Sequence, residues 1–306
     1  MRQRCESGRP RSAGTIELVL VTLTPNLKRP EWLRAPAPVG DNYRDLKGLI
    51  ERLQLHTVCE SAACPNVGEC WNHRTATFMI LGNVCTRRCG FCAVQKGAPL
   101  EVDYDEPRRV AEAVAAMGLK FAVVTSVNRD DRKDGGAELF AMVIRAIRER
   151  VPGCGVEVLV PDFQGSHAAM DIVMEARPDV LNHNTETVPR LYRQVRLGAR
   201  YERSLDMLAY AKSISQGTPT KSGLMLGLGE TQEEVLGVMR DLRAHQVDIL
   251  TLGQYLRPSA KHLPIVRYIP PAEFDEYRRA GQEMGFGHVE SGPLVRSSYH
   301  AAEAAK

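Results

Sequence analysis

The sequence predicts an α/β fold: a partial six-stranded parallel barrel, TIM-like, with N-terminal and C-terminal extensions over its open face. Two observations lead there. Six short apolar runs recur between residues 77 and 252, each of buried-strand length, and stretches with helical periodicity separate them. Strand and helix alternating in this way build a parallel sheet covered by helices. With 306 residues, 43% of them apolar and 25% charged, the chain has the make-up of an ordinary globular protein with one catalytic unit.

The elements follow in order. Residues 1–34 read as a basic leader or arm, in which Arg2, Arg4, Arg9, Arg11, Lys28, Arg29 and Arg34 face only Glu6, Glu17 and Glu31. A dispensable leader on a bacterial, cytoplasmic protein is the expectation. A mitochondrial or plastid transit peptide is the alternative, although such peptides are poorer in acidic residues. The longest apolar candidate there, Ile16 to Leu23, is far short of the roughly 20 residues that cross a bilayer, so no membrane partner is expected. A net charge of +3 is too small to argue for nucleic acid.

Residues 35–75 read as an N-terminal extension, 76–270 as the barrel, and 271–306 as a C-terminal helix and tail. The barrel strands are expected at Thr77 to Leu81, Phe121 to Ser126, Gly155 to Val160, Val180 to Asn182, Gly223 to Leu228 and Ile249 to Leu252. Helices are expected at Pro107 to Met117, Ala137 to Arg150, His167 to Ala176, Arg203 to Ser213 and Thr231 to His245, with a last one starting near Pro271. Parallel barrels carry their chemistry at the C-terminal strand ends, where both extensions should meet.

Six of the eight cysteines form two triplets within 34 residues: Cys59, Cys64, Cys70 and Cys85, Cys89, Cys92. A disulfide scaffold does not fit a chain long enough to stand on its own core, so the thiols read as ligands. The second triplet, Cys85-Thr-Arg-Arg-Cys89-Gly-Phe-Cys92, follows the first strand with C-x3-C-x2-C spacing. Such a loop wraps three thiolates around one cuboidal cluster and leaves one iron open to chelate a substrate. Structural zinc asks for a fourth ligand, and none sits beside Cys92. With Gly90 and Phe91, the loop resembles that of the radical S-adenosylmethionine superfamily. In that superfamily the open iron binds S-adenosyl-L-methionine and an electron releases a 5′-deoxyadenosyl radical.

The first triplet has C-x4-C-x5-C spacing and implies a second cluster, whose job the spacing leaves open between electron relay, substrate binding and sulfide donation. The two triplets in this order resemble the lipoyl synthase family. So do Asn66-Val-Gly-Glu-Cys-Trp71, Asp134-Gly-Gly-Ala137, Asn182-His-Asn-Thr-Glu-Thr187, Lys221-Ser-Gly-Leu-Met-Leu-Gly-Leu-Gly-Glu-Thr231 and Arg296-Ser-Ser-Tyr-His-Ala301. The resemblance implies two 4Fe-4S clusters, with Ser298 as fourth ligand beside Cys59, Cys64 and Cys70. It also implies cofactor contacts at Gly135, Gly136, Asn184 and Glu186, while His183 reads instead as a structural histidine. A serine oxygen is a hard ligand where thiolates are the usual partners, so its bond should be the first lost.

The implied reaction is insertion of two sulfur atoms at C6 and C8 of a protein-bound octanoyl-lysine, with the auxiliary cluster as sulfur donor. Octanoylated lipoyl carrier domains are the implied partners, on 2-oxoacid dehydrogenase E2 subunits and the glycine cleavage H protein. A ferredoxin or flavodoxin would supply electrons. The rivals are a biotin synthase-like sulfur-insertion enzyme, whose auxiliary cluster would be ligated from within the barrel, and a non-catalytic two-cluster electron carrier. Arg257 and Lys261 read as solvated charge or as contacts to an acidic partner. Cys5 and Cys154 receive no role, Cys154 being expected as a buried apolar thiol.

Overall fold

A computed structural model describes residues 27–35, 38–62, 64–72, 76–299 and 301–304; most of the basic arm, Cys5 included, lies outside them. Among the described residues one eight-stranded sheet carries the fold. Its strands are β1 (His56–Thr57), β2 (Thr77–Ile80), β3 (Phe121–Ser126), β4 (Gly155–Leu159), β5 (Val180–Asn182), β6 (Thr220–Leu226), β7 (Ile249–Gln254) and β8 (His288–Gly292), lying side by side in chain order. β1 runs antiparallel to β2, and each later pairing is parallel.

The principal helices are α1 (Asp41–Arg52), α2 (Glu106–Met117), α3 (Ala137–Arg150), α4 (His167–Glu175), α5 (Tyr201–Ile214), α6 (Gln232–Ala244) and α7 (Pro271–Glu283). Their ends carry the expected punctuation. Gly118 closes α2 in the left-handed region, with φ of 65°, where a side chain would be strained. At α6, Thr231 Oγ1 accepts from the Glu234 N–H at 3.2 Å, and the Glu234 carboxylate accepts from the Thr231 N–H at 2.8 Å. That reciprocal pair satisfies two N–H groups otherwise left over at the helix start.

Alternation along the strands divides core from site. Phe78 and Ile80 of β2, Ala122 and Val124 of β3, and Val156 and Val158 of β4 pack outward with Val110 and Val114 of α2 and Phe140, Ile144 and Ile147 of α3 in one apolar core. Leu250 and Leu252 of β7 join Val235, Met239 and Leu242 of α6 in a second. The intervening positions face inward: Thr77 and Met79, Val123 and Thr125, Leu159, Asn182, Gly223 and Met225, Thr251 and Gly253 all border one cavity. Register puts them in rows, with Thr77 opposite Val123, Thr125 opposite Leu159, and Gly223 opposite Thr251.

The six expected strands and six expected helices are present, and three differences have physical causes. β8 is a further parallel strand, hidden in the sequence because it pairs at the sheet edge with only alternate residues buried and so lacks an apolar run. β1 is too short to show a pattern. β6 begins at Thr220 rather than Gly223, because Lys221 is fully buried and donates to Glu157 of β4 at 3.0 Å; a charged residue otherwise reads as loop. No helix among the described residues is long and apolar enough to cross a membrane.

Candidate active site

The inward faces of β2 to β7 enclose a cavity of about 560 Å³ at the C-terminal strand ends. Cys59, Cys64, Cys85, Cys89, Cys92, Asn184, Glu186 and Ser298 all line it. Cys70 does not reach the lining, but it lies close enough to Cys59 and Cys64 for their charges to raise its pKa.

The loop carrying Cys85, Cys89 and Cys92 is shaped by the backbone before it. Leu81 and Gly82 both take positive φ, 67° and 81°, and turn the chain off β2. Leu81 N–H donates to the buried Glu106 carboxylate at 2.8 Å, tying the turn to the start of α2. Val84–Cys85 and Gln95–Lys96 pair in parallel and close the loop at its base. Gly90 is held on both sides, its N–H donating to Val195 O at 2.9 Å and its carbonyl accepting from Leu263 N–H at 3.1 Å. A Cβ there would meet Leu263 at 2.9 Å, so a side chain would push the loop off its support. His262 Nε2 donates to Cys92 O at 3.1 Å, and its Nδ1 faces Ser259 Oγ at 2.9 Å.

Under the loop lies a buried ionic cluster. Arg87 makes two hydrogen bonds to Asp130, at 2.7 and 2.9 Å, and one to Asp162 at 2.5 Å. Asp162 also faces Arg203 Nη1 at 3.3 Å. Burial works against the charge on Asp162, but the Arg87 hydrogen bond and charge overcome it and hold the carboxyl at about 2.

The first triplet sits on short helical segments, Cys59 in Val58–Ser61 and Cys70 in Val67–Asn72. Thr57 caps the first by accepting from Glu60 N–H at 3.3 Å. Burial pushes the Cys59 thiol up to about 11 and the Cys70 thiol up to about 12. It likewise raises Cys89 to about 11, against the opposing charge of Arg196, and raises Cys92.

The C-terminal tail closes over both triplets. Asn66, between Cys64 and Cys70, donates to Leu294 O at 2.7 Å; Asn184 Nδ2 donates to Ser297 Oγ at 2.7 Å; and Thr77 Oγ1 donates to Ser298 Oγ at 2.8 Å. The tail crosses β7 at Gly253, where a Cβ would come within 2.1 Å of Val295 O.

The polar end of β5 forms the opposite wall. Asn184 also donates to Glu186 at 3.1 Å, and burial raises the Glu186 carboxyl pKa. Arg196 Nη1 donates to Asn184 O, Tyr192 Oη and Ser204 Oγ at 2.8, 3.0 and 3.2 Å, so a buried guanidinium holds the wall in place. His183 is satisfied from both sides. Its Nδ1 must donate to the Val160 carbonyl at 2.8 Å, which leaves Nε2 to accept from Ser204 Oγ at 3.0 Å.

The residues fit cluster and cofactor chemistry. The seven described cysteines are all free thiols, three of them within one eight-residue loop. Among the described residues no three Cys, His, Asp or Glu side chains gather as for a single metal ion. A cuboidal cluster does not require that, since each thiolate meets a different iron, whereas one zinc draws its sulfurs to about 2.3 Å from a common centre. Four buried polar atoms on the cavity wall, Ser126 Oγ, Asn128 Oδ1, Asn182 Oδ1 and Asn184 Oδ1, have no hydrogen-bond partner among the described residues, as a polar cofactor would require.

Gly135 and Gly136 open α3 near the start of the cysteine loop, Gly136 packing against Leu81. They do not line the cavity; at φ of 59° and 93°, they turn the chain into α3 with Phe163 and Leu81 packed where side chains would be. Arg257 is spent on its own loop, donating to His262 O and Ala260 O. Cys154 is buried in the apolar core, as expected. Sequence reasoning missed Arg87, Asp162 and Arg196. The signal available was an arginine inside the cysteine loop; nothing local marks the other two.

Two family models match the chain. The radical SAM superfamily matches residues 79–242, and the N-terminal domain of lipoyl synthase of the radical SAM family matches residues 16–64. Lipoyl synthase of Koribacter versatilis is 64% identical over 291 residues, 94% of this chain and 96% of the relative. Lipoyl synthase of Rubrobacter xylanophilus is 64% identical over 275 residues, 90% of this chain and 86% of the relative. Among solved structures, methylornithine synthase superposes with a TM-score of 0.50 at 16% identity, covering 81% of each chain, a likeness of fold alone.

Proposed function

The chain belongs to the lipoyl synthase family of radical S-adenosylmethionine enzymes, and on that premise we propose how its residues divide the work. Cys85, Cys89 and Cys92 hold one 4Fe-4S cluster, and Cys59, Cys64, Cys70 and Ser298 hold the other. Asn184 and Glu186, on the wall of the same cavity, would contact S-adenosyl-L-methionine. When bound, these groups supply the electron that splits S-adenosylmethionine and the sulfide that enters the product.

The protein supplies position and a controlled environment. Three thiols per triplet leave one coordination position open in each site, for the cofactor in one and for a serine oxygen in the other. Arg196 backs the cofactor wall through the carbonyl of Asn184, so that wall cannot swing away as the cavity fills. Met79, Val123, Leu159 and Met225 give the same cavity an apolar side, against which an eight-carbon chain can lie out of water. That chain is an octanoyl group on a lysine of a lipoyl carrier domain, such as those of 2-oxoacid dehydrogenase E2 subunits or the glycine cleavage H protein. A reduced ferredoxin or flavodoxin delivers the electrons, in the cytoplasm. The N-terminal extension to residue 75, the barrel to residue 270 and the tail beyond it each contribute to this one site.

The observation that carries this reading is the convergence on one cavity of five of the six triplet cysteines and a serine more than 200 residues downstream, with Thr77 and Ser298 2.8 Å apart. Identity of 64% to two lipoyl synthases over most of the chain displaces both the biotin synthase-like and the electron-carrier readings. The test is turnover of reduced, cluster-loaded protein with an octanoylated carrier peptide and, separately, with dethiobiotin. Lipoyl peptide from the first and no product from the second is expected; biotin formation would overturn the assignment.

A further inference from the structure

We infer that Thr77 is a positioning residue that holds Ser298 in reach of the auxiliary cluster. The inference rests on the reading of Ser298 as that cluster's fourth ligand. Thr77 opens β2 on its inward face, is 7% exposed, and is pinned in register opposite Val123 of β3. Its side-chain hydroxyl donates to Ser298 Oγ at 2.8 Å. A residue of a rigid strand therefore holds a residue of the tail, at the wall of the cavity that Cys59 also lines.

The chemistry of the two residue types explains why this arrangement matters. Ser298 lies in a turn of the tail, and a serine hydroxyl turns freely about χ1. Thr77 is β-branched and sits in a strand, where its χ1 is restricted, so its hydroxyl direction is set by the sheet. By donating, Thr77 makes the Ser298 oxygen an acceptor and leaves a lone pair of that oxygen for iron. A donor aimed at an oxygen that carries negative charge contributes about twice what it does at a neutral one. The neighbouring Ser297 is held from the other side by Asn184, at 2.7 Å, so the two adjacent serines are sorted to two different walls. Without the Thr77 hydroxyl, the tail keeps the Asn184 contact but loses the bond that holds Ser298 to β2.

The test follows release of iron to a chelator from the full chain carrying Cys85→Ala, Cys89→Ala and Cys92→Ala, reconstituted with iron and sulfide so that only the auxiliary cluster is loaded. Thr77→Val should release iron roughly tenfold faster, the factor a hydrogen bond to a charged oxygen contributes. Thr77→Ser keeps the hydroxyl but frees its χ1, and should release at a rate between those of the parent and Thr77→Val. In a Ser298→Ala background, Thr77→Val should add no further acceleration, because the two residues act through one bond. Release from Thr77→Val at the parent rate, or the same acceleration with and without Ser298, overturns the inference. Release from Ser298→Ala at the parent rate instead overturns the underlying ligand reading. Should Thr77→Val not fold, Thr77→Ser still decides: release from it as fast as from Ser298→Ala removes the hydroxyl from the explanation.

Discussion

Replacing Asp162 with asparagine should destabilise the unloaded chain and loosen the loop that carries Cys85, Cys89 and Cys92. Asp162 is fully buried and accepts from Arg87 at 2.5 Å, from Gln164 N–H at 3.1 Å and from Arg203 at 3.3 Å. Its carboxyl is held at about 2 against an ordinary 3.8, a displacement that corresponds to about 2 kcal/mol of stability. The folded pKa is depressed, so this stability is present above 3.8 and is lost as the pH falls through about 2. Asparagine forfeits it and leaves Arg87 with Asp130 alone. Breaking a buried pair outright costs roughly 3 to 5 kcal/mol, and the retained Asp130 contacts bring the expected loss to about 2 to 3 kcal/mol. For a chain of this length that is a fall in melting temperature of roughly 3 to 5 °C. Circular dichroism melts of parent and Asp162→Asn at about pH 7 and about pH 5 should show the same deficit at both, since the carboxyl is ionised throughout. Iron uptake by the Cys85 to Cys92 loop should fall as well. A variant melting within about 1 °C of the parent, or a deficit that shrinks by pH 5, would refute the reasoning.

Three further outcomes are expected. Cys89→Ala should abolish 5′-deoxyadenosine release, whereas Cys64→Ala should retain it and form no lipoyl product; full product from Cys64→Ala would exclude the first triplet as sulfur donor. Burial, joined by the charge of Arg196 and opposed by that of Asp162, lowers the His183 pKa from 6.5 to about 4. Stability is therefore complete above pH 6.5 and is lost, by about 3 kcal/mol, as pH falls through about 4; His183→Gln should flatten the stability curve across that window, and an unchanged curve would count against a buried neutral imidazole. Gly253→Ala should displace the tail, because its Cβ would lie 2.1 Å from a backbone carbonyl that cannot give way cheaply. Hydrogen exchange at residues 294–299 should then rise markedly, and unaltered protection would show that the tail is held elsewhere.

Much of the fold is legible locally. Apolar runs of strand length and periodic stretches of helix length mark each β–α unit, and Gly118, Thr231 and Pro271 mark helix ends by their own backbone chemistry. β8 escapes because a half-buried edge strand need not be apolar on both faces, and the start of β6 escapes because the partner that lets Lys221 be buried, Glu157, is 64 residues away. Gly135 and Gly136 illustrate a local pattern with two readings. A glycine pair before a helix is compatible with close approach of a ligand or of the protein's own side chains, and the structure puts Phe163 and Leu81 there.

The cysteine triplets announce their chemistry in the sequence because ligand spacing along one loop is a local property: three thiols a few residues apart can meet one cluster whatever surrounds them. Which distant groups complete the site is another matter. That Ser298 lies against Thr77 and Ser297 against Asn184, that Arg196 braces the wall, and that Arg87 anchors the cysteine loop through Asp162 all depend on strand register and on where the tail crosses Gly253. Contacts between residues separated by tens to hundreds of positions form only once the sheet has set which side chains face inward, and no local pattern encodes them.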